Sequence, residues 1–224
     1  MTAVGRASVA EGGTPPVAAL PTSTMVLFDW NGTIVLDADR AQDALNRVLA
    51  KRGLPVLDAA AFSARFTLPM ATMFVGLGVP GPEVSDAERE WNRAMASTPT
   101  TLRDGADSAL RTLSDAGVLL GVISAASAEA VDFDRAGLGV PDVFTSVEAP
   151  VTDKLGRLLT HRPSREAAFY VGDTAYDMRS ALAAGFVPVG VSGGYAADPV
   201  LWEAGAAHVI HSLAELPALL GADR

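Results

Sequence analysis

The stretch from residue 25 to residue 35, Met-Val-Leu-Phe-Asp-Trp-Asn-Gly-Thr-Ile-Val, constrains the fold more than any other part of the chain. Its first four residues form an apolar run that stops at a carboxylate, Asp29, and Asn31-Gly32 then indicates a tight turn. A buried strand that ends in an acid and a turn places that acid at the carboxyl end of a sheet. Open α/β folds bind their ligands at that edge.

Further apolar runs alternate with segments of helical periodicity along the rest of the chain, which is typical of a parallel, doubly wound α/β sheet. We predict strands at 25–28, 118–123, 143–147, 167–171, 187–191 and 208–210. We predict helices at 105–116, 127–135, 176–184 and 213–220, and a helical turn at 155–159.

Residues 37–100 break this alternation, because they contain helical patterns and no convincing strand. The segments are 39–51, 58–66, a short helix and loop in 69–81, and 85–96. We therefore divide the chain into a core of residues 25–36 and 101–224 and an inserted helical cap of residues 37–100. Residues 1–24, rich in Ala, Gly, Pro, Thr and Val, are predicted to form a flexible leader.

Composition excludes several classes of function. The chain of 224 residues carries 17 Lys and Arg against 26 Asp and Glu, a formal charge of −9, which argues against a nucleic-acid or anionic-membrane surface. It contains no cysteine, so disulfides and thiolate metal sites are excluded. No apolar run reaches the roughly 18 residues of a membrane span. We expect a cytoplasmic protein, a monomer or a homodimer.

Polar side chains follow the predicted strand ends, and a parallel sheet brings such ends to one edge. Asp29, Asp173 and Asp177 would repel one another there, and a hard cation with oxygen ligands, Mg²⁺, resolves that repulsion. Lys154 adds a positive charge and Ser124 a hydroxyl. Three carboxylates, one Mg²⁺ and one ammonium sum to about zero, so the site accepts an anion such as a small phosphorylated substrate.

The order of these motifs resembles a known family. Asp-x-x-Gly-Thr after an apolar strand, a strand ending in Ser, a later Lys, and Gly-Asp-x-x-x-Asp are similar to the four motifs of the haloacid dehalogenase (HAD) superfamily. The helical insertion after the first motif resembles the small cap of its phosphoglycolate-phosphatase-like branch. The similarity runs from about residue 25 to residue 220.

This resemblance implies a role for each matching residue. Asp29 matches the nucleophile that forms an aspartyl-phosphate, Ser124 the hydroxyl that binds the phosphoryl group, and Lys154 the cation that holds nucleophile and phosphate together. Asp173 and Asp177 match the acidic pair that holds Mg²⁺ with Asp29 and the main-chain carbonyl of Asn31. The resulting site list is completed by main-chain N–H groups near the phosphate, at Gly32 and Thr33.

Simpler interpretations stay open for some of these residues. Asp173 and Asp177 also fit an N-cap and a surface acid of the following helix. Arg157, one turn after Lys154, competes with it as the cation of the site. Arg65 of the cap fits either a contact with the leaving group or a solvated surface position.

Asn31 departs from the family pattern, which has a second Asp at this position. That Asp protonates the leaving oxygen and then activates water, and an amide does neither at neutral pH. We predict a Mg²⁺-dependent phosphatase whose substrate has a leaving group of low pKa or its own acid. Two alternatives remain: a HAD-type enzyme that cleaves C–P or C–halogen bonds, and a catalytically impaired protein that binds a phosphorylated ligand or a partner.

Overall fold

The computed structural model describes residues 23–222, so the predicted leader lies outside the described residues except for its last two positions. Apolar runs and segments of helical periodicity form an α/β structure, as predicted. The strands are β1 (Thr24–Phe28), β2 (Val35–Leu36), β3 (Thr101–Leu102), β4 (Leu119–Ile123), β5 (Ser146–Glu148), β6 (Ala167–Gly172), β7 (Val187–Val191) and β8 (His208–Ile210).

Ten α-helices cover this part of the chain. They are α1 (Ala38–Lys51), α2 (Ala59–Arg65), α3 (Met70–Gly76), α4 (Val84–Met95), α5 (Ala106–Asp115), α6 (Ala128–Leu138), α7 (Lys154–His161), α8 (Ala175–Ala183), α9 (Asp198–Glu203) and α10 (Leu216–Ala222). Short 3₁₀ helices lie at Gly81–Glu83, Arg162–Ser164 and Leu213–Glu215. Within residues 23–222, no helix is both long and apolar enough to span a bilayer.

Six strands form one parallel sheet in the order β5-β4-β1-β6-β7-β8. β1 lies inside the sheet, and every one of its residues is buried, as a strand covered on both faces requires. The chain runs outward from β1 to β4 and β5 on one side and to β6, β7 and β8 on the other. The strand order therefore reverses at β1, and its carboxyl end faces the crevice in which such sheets bind ligands. The predicted fold class is confirmed.

Three predicted elements need correction. The strand predicted at 143–147 lies at Ser146–Glu148, because its pairing is set by β4, where Gly121 lies opposite Ser146. The turn predicted at 155–159 is the eight-residue helix α7, which Asp153 caps by accepting a hydrogen bond from the N–H of Gly156 at 2.9 Å. The helix predicted at 213–220 is a 3₁₀ turn followed by α10, and Pro217 occupies the first turn of α10, where its missing N–H is tolerated.

The sequence patterns missed α9 and the two-stranded antiparallel sheet of β2 and β3. β2 and β3 have two residues each, which is too short for a detectable period. They flank the segment 37–100 and hold its entry and exit side by side. The buried apolar residues of α1, α3 and α4 pack mainly with one another in a cluster that also includes Ala130 and Tyr195. The division into core and cap stays a prediction, which this packing supports.

Candidate active site

Asp29 is held at the end of β1 by the strand and by the turn that follows. Its N–H donates to the carbonyl of Val171 at 2.8 Å, which continues the pairing with β6. One carboxylate oxygen accepts from the N–H of Trp30 at 2.7 Å. The carbonyl of Trp30 accepts from the N–H groups of Thr33, Ile34 and Val35, which closes the turn. Asp29 is 6% exposed, so it faces a nearly enclosed space.

Gly32 is required inside this turn for two reasons. Its φ of +69° lies in the left-handed region that favours glycine. A Cβ at this position would also collide with the carboxylate of Asp173, as it would at Gly194. The two glycines thus let the loops after β1 and β7, the two neighbours of β6 in the sheet, approach Asp173 closely.

Lys154, the first residue of α7, lies between two carboxylates. Its Nζ is 2.7 Å from Asp29 and 2.6 Å from Asp177, and its side chain is completely buried. Burial alone lowers the pKa of Lys154, but the charges of Asp177 and Asp29 outweigh burial and raise that pKa well above its usual value. Lys154 is therefore a fixed ammonium ion beside the carboxylate of Asp29.

Three buried acids converge here: Asp29, Asp173 and Asp177 have carboxylate oxygens within 4.8 Å of one another. Asp173 accepts from the Thr33 hydroxyl at 3.0 Å and from the N–H of Tyr195 at 2.7 Å. Burial, followed by the charges of Asp177 and Asp29, raises the pKa of Asp173 well above its usual value. Burial also raises the pKa of Asp29, and the ammonium of Lys154 opposes that shift. One ammonium does not balance three buried carboxylates, so full ionisation of the cluster requires a further cation.

Asp177 has a structural contact as well as a place in this cluster. It forms a capping box with Thr174 at the start of α8, in which its second oxygen accepts from the Thr174 N–H at 3.0 Å. Its first oxygen contacts Lys154. The simpler interpretation was wrong for both acids, because Thr174 and not Asp173 is the N-cap, and Asp177 is completely buried instead of lying at the surface. Asp177 uses different oxygens for the capping box and for Lys154, so its place in the helix start does not exclude a place in the acidic cluster.

Ser124 lies directly after β4, as predicted, and is 1% exposed. It lines a small inner cavity of about 40 Å³ together with Asp29, Asn31, Ala126 and other residues. The Ser124 Oγ accepts a hydrogen bond from the N–H of Ala126 at 3.2 Å, which fixes the start of the loop before α6. The inner cavity thus brings together Asp29 and Ser124, which follow the neighbouring strands β1 and β4.

The side chain of Asn31 is bound to a carboxylate that sequence reasoning did not single out. Its amide nitrogen donates to Asp37, which also accepts from the N–H of Gly32 at 2.8 Å and from the Tyr195 hydroxyl at 3.1 Å. Arg40 lies 3.0 Å from the same carboxylate. Burial raises the pKa of Asp37, and the charge of Arg40 opposes that shift. Asn31 is thus held in place by a buried, charged network.

This network extends behind the turn. Arg40 forms a second ion pair with Asp134 of α6, at 2.5 Å, and the indole N–H of Trp30 donates to the same acid at 3.0 Å. Arg40 therefore connects α1 with α6, and Asp134 connects both with Trp30, the residue next to Asp29. The helical pattern of residues 39–51 gave no sign of this role, because a charged residue in a sequence carries no mark of burial.

Arg103 is the other buried cation that the sequence patterns missed. Its guanidinium donates to the carbonyls of Gly32, Thr33 (2.9 Å) and Ser192 (2.8 Å) and is 5% exposed. These hydrogen bonds connect the turn after Asp29 with the loop after β7. In the sequence, Arg103 is visible only as an arginine just after the segment 37–100, and that position does not by itself indicate burial.

The family model described as "Haloacid dehalogenase-like hydrolase" matches residues 26–191. The chain belongs to this family. A phosphoglycolate phosphatase from Cereibacter sphaeroides is 28% identical over 205 residues, which cover 78% of this chain and 88% of that protein. The chain is thus an enzyme, a HAD-like phosphatase of the phosphoglycolate-phosphatase-like branch, as the motifs predicted.

Solved structures show the same fold. A predicted phosphatase from Clostridium acetobutylicum has a TM-score of 0.77 at 20% identity, covering 88% of this chain and 97% of that one. The CbbY protein of Rhodobacter sphaeroides, solved in complex with phosphate, has a TM-score of 0.71 at 22% identity and covers 89% of this chain and 99% of that one. At these identities the likeness concerns the fold of the HAD-like hydrolase alone.

Two competing residues of this HAD-like chain lie outside the site. Arg157 is half-exposed and pairs with Glu148, so Lys154 is the cation that reaches Asp29. Arg65 is exposed at the end of α2 and lines none of the cavities described for residues 23–222. Its neighbour Phe66 instead lines the inner cavity.

Proposed function

We propose that this HAD-like hydrolase is a Mg²⁺-dependent phosphatase that hydrolyses a small phosphorylated metabolite through an aspartyl-phosphate on Asp29. One observation carries the proposal. The ammonium of Lys154 lies between Asp29 and Asp177, at 2.7 and 2.6 Å, at the point where the strand order reverses. A buried carboxylate beside a fixed cation is suited to attack an anionic phosphoryl group, which it would otherwise repel.

The acidic cluster fits a divalent cation. Three carboxylates and one ammonium leave a net charge of −2 in a buried space, and carboxylate oxygens are the ligands that Mg²⁺ prefers. Asp29, Asp173, Asp177 and the main-chain carbonyl of Asn31 would hold the ion. When bound, Mg²⁺ neutralises charge on the phosphoryl oxygens and on the attacking carboxylate.

Each residue of the site then has its own role in the reaction. A carboxylate oxygen of Asp29 attacks phosphorus, the bond from phosphorus to the leaving oxygen breaks, and its electron pair departs with that oxygen. Lys154 keeps its proton and stabilises the negative charge on the phosphoryl group, and Ser124 and the N–H groups of Gly32 and Thr33 bind its oxygens. Water then attacks phosphorus, releases phosphate and restores the carboxylate of Asp29.

Asn31 decides which leaving groups this site accepts. Its amide has no proton to give, and its nitrogen is already committed to Asp37. The leaving oxygen therefore departs unprotonated or takes a proton from water or from the substrate. The site favours phosphate esters of acidic hydroxyl groups, because such oxygens are stable as anions.

Kinetics on matched aryl and alkyl phosphates test this proposal. Asp29→Asn is expected to abolish turnover, since an amide does not form the acyl-phosphate. Asn31→Asp is expected to raise kcat/KM for alkyl phosphates by about 10²–10⁴, the usual contribution of a general acid, and to raise it less for aryl phosphates. Unchanged kcat/KM on both classes contradicts the argument about Asn31. Turnover by Asp29→Asn contradicts the assignment of the nucleophile.

The geometry of Asn31 offers a control for the acid introduced at residue 31. In Asn31→Asp the new carboxyl lies against Asp37, and two adjacent carboxylates raise the pKa of one of them. The double variant Asn31→Asp, Asp37→Asn restores one carboxyl and one amide with their places exchanged. If the gain in kcat/KM comes from a proton donor at residue 31, this double variant keeps part of it, whereas Asp37→Asn alone shows none.

The alternative functions differ in simple assays. Metal-free activity on a 2-haloacid favours a dehalogenase. C–P cleavage through a Schiff base needs a lysine over the site, and Lys51, the lysine in the cap, is 67% exposed and paired with Glu90. Thermal stabilisation by a phosphorylated ligand without phosphate release favours an impaired binding protein. The cytoplasmic location and the monomeric or homodimeric state stay predictions.

A further inference from the structure

The inner cavity at Asp29 is too small for a whole substrate. Its volume is about 40 Å³, room for roughly three water molecules. A phosphoryl group fits there, but the organic part of a metabolite does not. The leaving group must therefore extend into a neighbouring cavity that shares walls with the inner one.

Two larger cavities share walls with it. The first, named here the outer cavity, encloses about 530 Å³ and is lined by residues that include Ser63, Phe66, Tyr176, Arg179, Tyr195 and Val200. The second, named here the side cavity, encloses about 430 Å³ and is lined by residues that include Met70, Glu88, Arg89, Trp91 and Asn92. Both are large enough for an organic group of metabolite size.

The outer and inner cavities share an aromatic pair in their walls. Phe66 of the cap and Tyr195 of the core stack with ring centroids 4.3 Å apart and planes 5° apart, and both line both cavities. Ser63 binds the carbonyl of Tyr195 at 2.8 Å, which fixes this contact between cap and core. The other lining residues of the outer cavity are mostly small or apolar. A flat apolar group suits such a wall.

Among the residues that the structure describes, Arg179 of α8 is the one charged residue that lines the outer cavity. Among residues 23–222 no carboxylate forms an ion pair with it and no acceptor takes a hydrogen bond from it. It follows Asp177 by two positions, so its backbone is anchored in the acidic site. Arg179 is exposed to solvent at this cavity, so its guanidinium is accessible to a ligand. A guanidinium beside an otherwise uncharged lining is suited to bind a carboxylate or a second phosphate.

The side cavity offers no equivalent. Its arginine, Arg89, forms an ion pair with Asp86, and it is lined by a further acid, Glu88. A second anion there would meet one unpaired carboxylate and a cation that is already neutralised. Electrostatics therefore favours the outer cavity for a leaving group that carries negative charge.

We propose that the outer cavity binds the leaving group and that this group is a flat apolar or aromatic body with a second anionic substituent, which Arg179 binds. The inference rests on the proposed phosphatase function and names its substrate class: phosphate esters of acidic, aryl-like hydroxyl groups that also carry a carboxylate or phosphate. The acidic hydroxyl is required by Asn31, the flat body by the wall of Phe66 and Tyr195, and the anion by Arg179.

The test compares 4-carboxyphenyl phosphate with 4-carbamoylphenyl phosphate, which has similar size but no second charge. The measured quantity is the ratio of their kcat/KM values, in which a general loss of folded enzyme cancels. Arg179→Gln is expected to lower this ratio about tenfold, because a charge-assisted hydrogen bond is lost. Arg179→Lys, which keeps the charge, is expected to lower this ratio less than Arg179→Gln does. Arg89→Gln, the matched control in the side cavity, is expected to leave the ratio unchanged.

Each other outcome has a definite meaning. A ratio that is unchanged in Arg179→Gln overturns the subsite and leaves the proposed function standing. A fall in Arg89→Gln instead of Arg179→Gln overturns it in favour of the side cavity. Absence of phosphate release from both esters by the wild-type protein overturns the proposed function and, with it, the substrate class inferred here.

Discussion

Lys154 permits the sharpest test of the electrostatics of this site. The chain contains two lysines, and they occupy opposite environments. Lys154 is completely buried between Asp29 and Asp177, whereas the side chain of Lys51 is 67% exposed and pairs with Glu90 at the surface. Lys154→Met removes the charge and keeps most of the volume, and Lys51→Met is the same substitution without burial.

The expected loss of stability follows from the contacts. Lys154→Met removes one positive charge from the buried cluster and leaves two carboxylates without their cation. Removing one partner of a buried ion pair costs about 3–5 kcal/mol. In a chain of this length, that loss lowers Tm by roughly 10 °C. Lys51→Met is expected to stay within about 0.5 kcal/mol of the wild type.

Urea unfolding in EDTA measures both free energies without a divalent cation at the acidic cluster. A loss below about 1 kcal/mol in Lys154→Met would refute the reasoning, because the two carboxylates would then not depend on the lysine for their burial. Equal losses in the two variants would also refute it, since exposure would then make no difference. Circular dichroism of the folded variants checks that secondary structure is kept.

Three further predictions concern other charged groups. Arg103→Met leaves the carbonyls of Gly32, Thr33 and Ser192 without their donor and is expected to lower the free energy of unfolding by about 2–4 kcal/mol, measured in urea. Hydrogen bonds from Lys51 and Arg52 lower the pKa of Glu90, so its ionised form stabilises the fold above the unfolded pKa and this contribution is lost as pH falls through the folded pKa. Glu90→Gln is therefore expected to cost about 0.5 kcal/mol at pH 7, with a difference from wild type that disappears in acid. Millimolar Mg²⁺ is expected to raise the Tm of the wild type but not of Asp173→Asn, and an equal rise in both would contradict the metal site.

Much of the fold could be predicted from local patterns. Continuous apolar runs located five of the six strands of the main sheet to within one residue at each end, because a strand covered on both faces has no polar positions to confuse the pattern. The edge strand β5 was misplaced, since its residues are only half-buried and its register is decided by β4. Two-residue strands such as β2 and β3 carry no period at all.

The site could be assembled from sequence to the extent that its residues follow strand ends. Asp29, Ser124 and Asp173 stand at such positions, and a parallel sheet brings them together whatever the details of packing. Asp177 joins them from the first turn of α8, the helix that follows Asp173. Lys154 was harder to assign because it begins a helix. Only the structure distinguishes it from Arg157. Both residues are cations, three positions apart, and Lys154 is buried whereas Arg157 is half-exposed.

The turn after β1 has some features that the sequence determined and others that only the tertiary structure decided. The chain by itself determined that an acid ends the central strand, that Gly32 permits the turn, and that residue 31 carries an amide instead of a proton donor. Only the fold decided that this amide binds Asp37 and that Arg40 and Arg103 lie buried behind the turn. Those contacts join the turn after β1 to α1 and to the segment just after β3, which lie far apart in the sequence. A charged side chain in a sequence carries no mark of burial, because burial depends on which distant segments pack around it.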